Sequence, residues 1–395
     1  MPVPDALLTP ERRAIVERAA GLGPSFLARS ADHDREASFP AANWADLAEA
    51  GLLGICIPES AGGLGGDFVA YALASEELGR HCPATALTYN MHVATTLLAG
   101  QIADDLVDDA DDLRILHANR ELLWEGIVQR GVIHSQPFSE TTSGEKAGFS
   151  TRAVPADGGY RVTGRKIFAS LSGAADVHNV VAVVEGDDRN RLLGVPADAE
   201  GVTIEGDWDP LGMRATDSRT LVLDGAFVPA ENEWIPPGTF DAVRDRWPYF
   251  YMTVSFCYLG LVRAVLDATA TYLTGSGSGE GRRDHPVKQQ GWAEMNLVYS
   301  RAQGLCYHVL GEVGPDPGPD AVRRALSSTV TTMDGAAEVA SMSLRVCGGR
   351  SLLRPSRLEQ LFRDARCGAA MRPWSVENCL ERLGRTGLYD DEDAT

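Results

Sequence analysis

The sequence predicts an α+β protein in which a small β domain is set between two helical regions. Two observations predict it. Apolar residues recur at helical spacing up to about residue 130, alternate with period two from about Gly131 to Pro237, and return to helical spacing from Phe240 onward. The C-terminal helical stretches are also long and separated by glycine-containing turns, as in a bundle. The expected division is residues 1–130 for an N-terminal helical domain, 131–238 for a middle β domain and 239–395 for a C-terminal helical bundle.

Each element has its own signal. Glu11 to Arg29 is rich in Ala, Leu, Glu and Arg, and Trp44 to Leu53 repeats apolar residues at helical spacing. A Gly-rich loop follows, Glu59-Ser60-Ala61-Gly62-Gly63-Leu64-Gly65-Gly66, and the acidic run Asp104 to Asp112 reads as a solvated helix face or loop. In the middle region Phe149 to Val154 and Tyr160 to Val162 flank Asp157-Gly158-Gly159, a hairpin signal because glycine tolerates positive φ at the turn. Val180 to Val184, Arg191 to Val195, Val202 to Glu205 and Thr220 to Val228 continue as short strands.

Leu259, Val262, Leu266, Ala270 and Leu273 then step along one helix face, with Arg263 and Asp267 expected as an i,i+4 pair off that face. Gly275 to Gly281 ends this helix. Further helices run over about Pro286 to Glu312 and Pro319 to Val346, broken by Gly348-Gly349. Ser356-Arg357-Leu358-Glu359 has the form of a capping box, and Pro373 suits the first turn of the last helix.

Composition bounds the function. The 395 residues carry 55 acidic and 36 basic side chains, a formal net charge of -19. Such a surface repels phosphate backbones and anionic lipid, so nucleic-acid and membrane binding are not expected. The seven cysteines are scattered and never form C-x-x-C, which favours reduced thiols in a cytoplasmic compartment over a disulfide framework or a zinc site. The N-terminal MPVPDALLTPERR has no basic segment followed by an apolar core, so no signal peptide is expected. The most apolar stretch, Tyr249 to Val262, is short for a bilayer and is followed at once by Arg263 and Asp267, which makes it a buried helix. P-loop, Rossmann, H-x-x-x-H and G-x-S-x-G patterns are all missing, so metal and hydrolase chemistry have no motif support.

Several motifs occur in an order that resembles the acyl-CoA dehydrogenase family. They are Pro58-Glu59-Ser60-Ala61-Gly62-Gly63-Leu64-Gly65-Gly66-Asp67, then Glu76-Glu77-Leu78-Gly79-Arg80, then Gly159 to Ser170 with Ala174-Ala175-Asp176. Leu211-Gly212-Met213-Arg214-Ala215-Thr216-Asp217-Ser218, Val228-Pro229, Gly348-Gly349 and Leu358 to Arg366 complete the series. The resemblance covers nearly the whole chain. It implies an N-terminal helical domain, a middle β-barrel-like domain and a C-terminal four-helix bundle.

It also implies FAD as cofactor, between the β domain and the bundle. Phe168 and Ser170 match the aromatic wall and the hydroxyl beside the flavin ring, although an isolated Phe-x-Ser equally fits a plain strand end. Ser135-Gln136-Pro137 stands where the family has Thr-Glu-Pro, which makes Ser135 a flavin-contact candidate, but the longer segment Phe138 to Glu145 replaces the usual Gly-Ser-Asp turn. Gly348 and Gly349 match a glycine pair that lets a neighbouring subunit approach the adenosine half, and a glycine pair is also a simple helix C-cap. Gln289 lies near the family's FAD-contacting glutamine, and Arg282 or Arg283 could supply charge for the pyrophosphate or stand as a solvated loop cation.

The catalytic base is the point of departure. Family chemistry removes the α-proton of an acyl thioester with a glutamate, because an ionised carboxylate can accept a proton. The usual position, nine residues after Arg363, holds Arg372, and an arginine keeps its proton at any physiological pH. A second family position, ten residues before Gly260, holds Phe250. Glu377, Asp241 and Asp245 lie near these points and His92 could face the pocket from the N-terminal domain, each with an ordinary structural reading as well.

Three functions are consistent with this. One is dehydrogenation of an acyl thioester of coenzyme A or acyl carrier protein with a relocated base, Arg372 then facing the substrate. The second is a flavin monooxygenase or oxidase. The third is a non-catalytic subunit or binding protein on the same fold. The family precedent for assembly is a homodimer or homotetramer, with a heteromer for the third reading.

Overall fold

The computed structural model describes residues 3–102, 104–141, 148–275, 282–313, 318–354, 356–371 and 375–388. The first region is helical: α1 (Pro10–Glu36), α2 (Ala41–Glu49), α3 (Phe68–His81), α4 (Pro83–Thr96) and α5 (Ala110–Arg130). Local chemistry starts these helices. The Thr9 hydroxyl accepts the Arg12 N–H at the head of α1, with Pro10 in the first turn. Asp67, closing the Gly-rich loop, accepts the Ala70 N–H at the head of α3 and also binds the Arg12 guanidinium at 2.5 Å. The acidic run is solvated but not idle: Asp109 caps α5, and Asp104, half exposed, is bound by the buried Arg120 guanidinium.

The β region contains β1 (His134–Ser135), β2 (Arg152–Ala156), β3 (Gly159–Ala169), β4 (Val177–Val184), β5 (Asp187–Pro196), β6 (Val202–Glu205), β7 (Arg219–Pro229) and β8 (Glu233–Ile235). The hairpin turn pairs β2 with β3, Ala156 opposite Gly159. Pairing runs β6-β7-β3-β2-β4-β5-β8, with β1 beside β4. Among the described residues the two end strands, β6 and β8, do not pair with each other, so the barrel-like sheet does not close. Alternation along β4 explains its two-sided packing: Val180, Ala182 and Val184 enter the sheet's own core, while Val181 joins the core shared with the helices.

The C-terminal region comprises α6 (Thr239–Arg246), α7 (Ser255–Thr274), α8 (Pro286–Leu310), α9 (Pro319–Cys347), α10 (Arg357–Gly368) and α11 (Val376–Leu388). The apolar stretch runs into α7, whose residues from Ser255 to Val262 are all buried, so it is a core helix and not a surface one. Two local expectations are corrected. Ser356 does stand at the N-cap of α10, but its side chain makes no capping bond, because Glu359 is drawn instead to the Arg363 guanidinium at 2.6 Å. Arg263 and Asp267 do not pair with each other. Arg263 binds Glu77 at 2.8 Å and Glu76 at 3.3 Å, and Asp267 binds Arg80 at 2.5 Å. The residues past Thr274 and Pro373 fall on 276–281 and 372–374, outside the described residues.

The crossing of α3 and α7 causes this exchange. A Cβ at Gly79 would lie 2.4 Å from the Cys257 carbonyl oxygen, and one at Gly260 would lie 2.1 Å from that of Glu76. Glycine on both helices therefore allows backbone contact, which brings opposite charges from the two helices within reach. Glu76 is buried at the centre, where it accepts the Tyr307 hydroxyl at 2.7 Å and the Tyr299 hydroxyl at 3.3 Å from α8. Gly260→Ala is expected to force the helices apart and destabilise the fold by about 1–3 kcal/mol, read as a lower thermal midpoint.

Three histidines are buried where α4 meets the β region. His92 Nε2 donates to the Leu53 carbonyl at 3.0 Å and its Nδ1 accepts the His134 N–H at 3.1 Å, so the ring is neutral. His178 Nδ1 meets the Ser135 hydroxyl at 2.8 Å. Burial lowers His92 and His178 to about 4 and His134 to about 3, the last also repelled by His92. A histidine depressed in the folded state contributes stability above about 6.5 that is lost as pH falls toward its folded value. His134→Gln should flatten the acid loss of stability between about pH 6.5 and 4 by about 1.4 kcal/mol per pH unit. Urea midpoints of the two proteins across this range check it.

Candidate active site

A cavity of about 540 Å³ lies where all three regions meet. Each wall is placed by a different element. Helix α4 contributes Leu87, Asn90, Met91 and Ala94; the segment after β1 contributes Gln136 and Phe138 to Thr141; the end of β3 contributes Ile167, Phe168 and Ser170. The loop before β7 supplies Trp208, Gly212, Met213, Thr216 and Ser218, and the turn before α7 supplies Phe250, Tyr251 and Val254. Met333 of α9, Cys367 of α10, and Ala370 and Met371 just after α10 close it.

Two facing loops form one wall under strain. Phe168, Leu171, Met213 and Asp217 have φ of 52°, 67°, 53° and 43°, left-handed values that non-glycine residues rarely adopt. The loops hold each other there. Leu171 N–H donates to Thr216 O, Ser172 N–H to Asp217 O and Gly173 N–H to the Asp217 carboxylate, each at 3.0 Å. This conformation turns the Phe168 ring outward, 65% exposed, with Trp208 edge-on at 6.3 Å. The indole N–H of Trp208 is buried without a partner, and the Ser170 hydroxyl meets that of Ser218 at 2.8 Å.

The opposite wall is aromatic and aliphatic. Phe138, Phe240 and Phe250 pack ring against ring at 5.6–6.2 Å. Asn90 is fixed from behind, its Oδ1 accepting the buried Tyr71 hydroxyl at 2.6 Å, which leaves its amide protons for the cavity side.

One carboxylate, Glu140, lines the cavity among the described residues, and it is fully engaged. Lys166 Nζ binds it at 2.5 Å, Ser150 donates both N–H and hydroxyl at 2.5 Å, and Thr151 donates its hydroxyl at 2.6 Å. Burial raises its pKa, but the Lys166 charge and these bonds outweigh burial and hold it at about 2. Lys166, completely buried, is lowered to about 8 by burial despite Glu140, and it also donates to Val181 O at 2.9 Å. Both are charged at neutral pH. The pair fixes the Phe138–Thr141 wall and cannot serve as a base.

The sequence-predicted residues divide accordingly. Phe168 and Ser170 line the cavity together. Ser135 is buried against His178, and it is the next residue, Gln136, that reaches the cavity wall. Arg283 and Gln289 are exposed, Arg283 within 3.9 Å of Asp284 and Gln289 donating to the Arg283 carbonyl at 3.0 Å. Arg282 stacks on the Tyr272 ring at 4.1 Å. Gly348 caps α9 with φ of 81°, and both Gly348 and Gly349 have open space where a Cβ would sit. Arg372 lies outside the described residues. Phe250, at the second family base position, does line the cavity, and His92 is structural. Asn90, Met91, Trp208 and Met333 were not foreseen. Trp208 and Met333 carry no motif, whereas Thr216 and Ser218 belong to a segment singled out without an assigned role.

The cavity suits a flavin ring. An exposed aromatic face, a partnerless indole N–H and a row of hydroxyls surround an apolar space large enough for a planar heterocycle. Residues that would hold it are Phe168, Ser170, Trp208 and the 212–218 loop.

Comparisons with known proteins point to one family. Residues 9–104, 137–226 and 252–372 match the N-terminal, middle and C-terminal domain models of acyl-CoA dehydrogenase. L-evernosamine nitrososynthase from Micromonospora sp. is 28% identical, with 98% of this chain and 93% of that protein covered. The putative acyl-CoA dehydrogenase YdbM of Bacillus subtilis is 27% identical, with 91% and 92% covered. FMN-bound TdsC from Paenibacillus sp. A11-2, a dibenzothiophene monooxygenase, shares the fold with a TM-score of 0.83 at 21% identity, covering 95% of this chain and 97% of that one.

Lys166→Met removes the partner of a buried carboxylate and is expected to destabilise the protein by about 3–5 kcal/mol. Without Lys166, burial dominates and the Glu140 pKa rises above its unfolded value. The deficit should then shrink as pH falls and Glu140 protonates, the reverse of the wild-type trend, where its contribution is lost as pH drops from about 4.5 toward 2. Denaturation at two pH values, with Lys166→Met/Glu140→Gln alongside, checks the sign.

Proposed function

The chain belongs to the acyl-CoA dehydrogenase family, and from that premise we propose that it is a flavin-dependent oxidoreductase of the monooxygenase kind, acting on a compact organic substrate. The observation that carries the reading is Glu140. Dehydrogenation of a thioester needs a carboxylate able to take the α-proton, and the one in the described cavity wall is saturated by Lys166, Ser150 and Thr151. The second family base position is Phe250, whose side chain forms part of the apolar wall. The usual position is Arg372 by sequence.

A bound flavin, once reduced, supplies the electrons that activate dioxygen, chemistry that does not require removal of an α-proton. The residues of the chain then have three tasks. Phe168 and Trp208 pack the ring system, and the strained loops keep them in place before binding. Phe138, Phe250, Met333 and Met371 would exclude water from the reacting centre. The Asn90 amide, held by Tyr71, orients a polar group of the substrate by donating to it.

FMN and FAD share the ring that these residues contact, so both are candidates. FAD is the family expectation, with Arg283, Gln289, Gly348 and Gly349 available to an adenosine half bridging two copies of the chain. FMN is the flavin named for TdsC. The nitrososynthase relative supports oxygen-transfer chemistry on this scaffold.

A second reading is dehydrogenation of an acyl thioester of coenzyme A or acyl carrier protein, favoured by the relative YdbM. One experiment separates them. The purified protein, loaded with FMN or FAD, is mixed with a panel of acyl thioesters without oxygen. The flavin should stay oxidised, whereas flavin reduced by NADH and a reductase should be reoxidised by air with oxygen incorporated into an added substrate. Bleaching by a thioester would establish the second reading, and a protein that takes up neither flavin would leave only a binding role.

A further inference from the structure

Three hydroxyls in the wall that would face a flavin form a chain that ends on a carbonyl. Ser170 Oγ lies 2.8 Å from Ser218 Oγ, Ser218 Oγ lies 2.7 Å from Thr216 Oγ1, and Thr216 Oγ1 donates to the Met213 carbonyl at 2.9 Å. All three line the cavity, Thr216 and Ser218 as buried residues and Ser170 as the more open one. Each hydroxyl has a single proton and can also accept, so the direction of the whole chain is set at its ends.

From this geometry we propose that Thr216 and Ser218 are positioning residues that let Ser170 present either an acceptor or a donor to a flavin ring nitrogen. The proposal rests on the flavin reading above and deepens it. In one direction Thr216 donates to Met213 O, Ser218 to Thr216 and Ser170 to Ser218. Ser170 then offers only lone pairs to the cavity. In the other direction every proton turns: Thr216 donates to Ser218, Ser218 to Ser170, and Ser170 to the cavity.

Reversal leaves no buried carbonyl stranded, because Met213 O also accepts the Thr216 N–H at 3.2 Å. No charge moves, only the orientation of three O–H bonds. The two settings match the two forms of the ring nitrogen, which lacks a proton when the flavin is oxidised and carries one when it is reduced by two electrons. The donor setting serves the first and the acceptor setting the second.

The variants act on one setting more than the other. In Ser218→Ala the Ser170 proton has no acceptor when Ser170 must accept from the reduced ring. In Thr216→Val, which keeps the volume, the same is true of the buried Ser218 proton. An unsatisfied buried donor is costly, so both changes penalise the reduced form. Thr216→Ser keeps the hydroxyl and its link to Met213 O.

The test measures dissociation constants for oxidised and for anaerobically reduced FMN and FAD, together with the midpoint potential of the bound flavin. Ser218→Ala and Thr216→Val should each lose about tenfold in affinity for reduced relative to oxidised flavin, a potential about 30 mV more negative for a two-electron couple. Thr216→Ser should retain the wild-type ratio. A general disturbance of the loop would weaken both forms equally and leave the ratio unchanged. Flavin binding with an unchanged ratio in both Ser218→Ala and Thr216→Val overturns the proposal alone. Failure of the wild-type protein to bind either flavin overturns the flavin reading and this one with it.

Discussion

Helix α10 holds the loop Leu211-Gly212-Met213 against itself, and the cavity depends on that grip. A Cβ at Gly212 would lie 2.3 Å from the Arg363 carbonyl oxygen, so the loop and the helix are in backbone contact. Arg363 spans the junction, binding Asp34 of α1 at 2.5 Å, Glu359 of its own helix at 2.6 Å and the Leu211 carbonyl at 3.1 Å. Asp364 accepts the Met213 N–H at 2.6 Å, and burial pushes its pKa up to about 6. One Arg-Asp pair thereby ties the N-terminal helices, the β region and the C-terminal helices to a single loop. The wall that carries Phe168, Ser170 and Trp208 is braced from where this loop is held.

The energetic consequence is local strain supported by distant order. Met213 and Asp217 adopt left-handed backbone on that loop, and Phe168 and Leu171 do so opposite. Such residues cost of order 1–3 kcal/mol each and persist only where the surroundings over-determine them. Here the surroundings are the cross-loop hydrogen bonds and the α10 contact. The Glu140–Lys166 pair does similar work for the neighbouring wall, since a buried ion pair with every lone pair occupied specifies one arrangement of the segment that carries it. Charge thus serves the cavity walls as structural bracing, and apart from the paired Glu140 the described lining side chains are uncharged.

Much of the fold was legible because its signals are local. Period-two alternation marked β3, β4 and β7, and helical spacing marked α7 and α9. The motifs Glu76 to Arg80, Leu211 to Ser218 and Leu358 to Arg366 were visible through the family resemblance, and each makes contacts between separate regions of the chain. Pairing partners were not legible. Arg263 and Asp267 look like an i,i+4 pair along α7, but Glu76, Glu77 and Arg80 on α3 offer charges that the sequence places nearly 190 residues away. Ser356 and Glu359 look like a capping box, but Arg363 competes for the glutamate within the same helix.

The candidate site shows the same division. Sequence alone determined the order of the helical, β and helical regions, the placement of Phe168 and Ser170 at a strand end, and the missing glutamate at two known base positions. Tertiary structure decided that Gln136 and not Ser135 reaches the cavity, because adjacent residues at the end of a strand point to opposite sides. It decided that Asn90, Met91, Trp208 and Met333 belong to one site, and that Glu140 is paired within it. A sequence records which groups are present and how they alternate along the chain. Which of them meet, and whether a carboxylate is left free to take a proton, depends on long-range packing and on the donors that packing delivers.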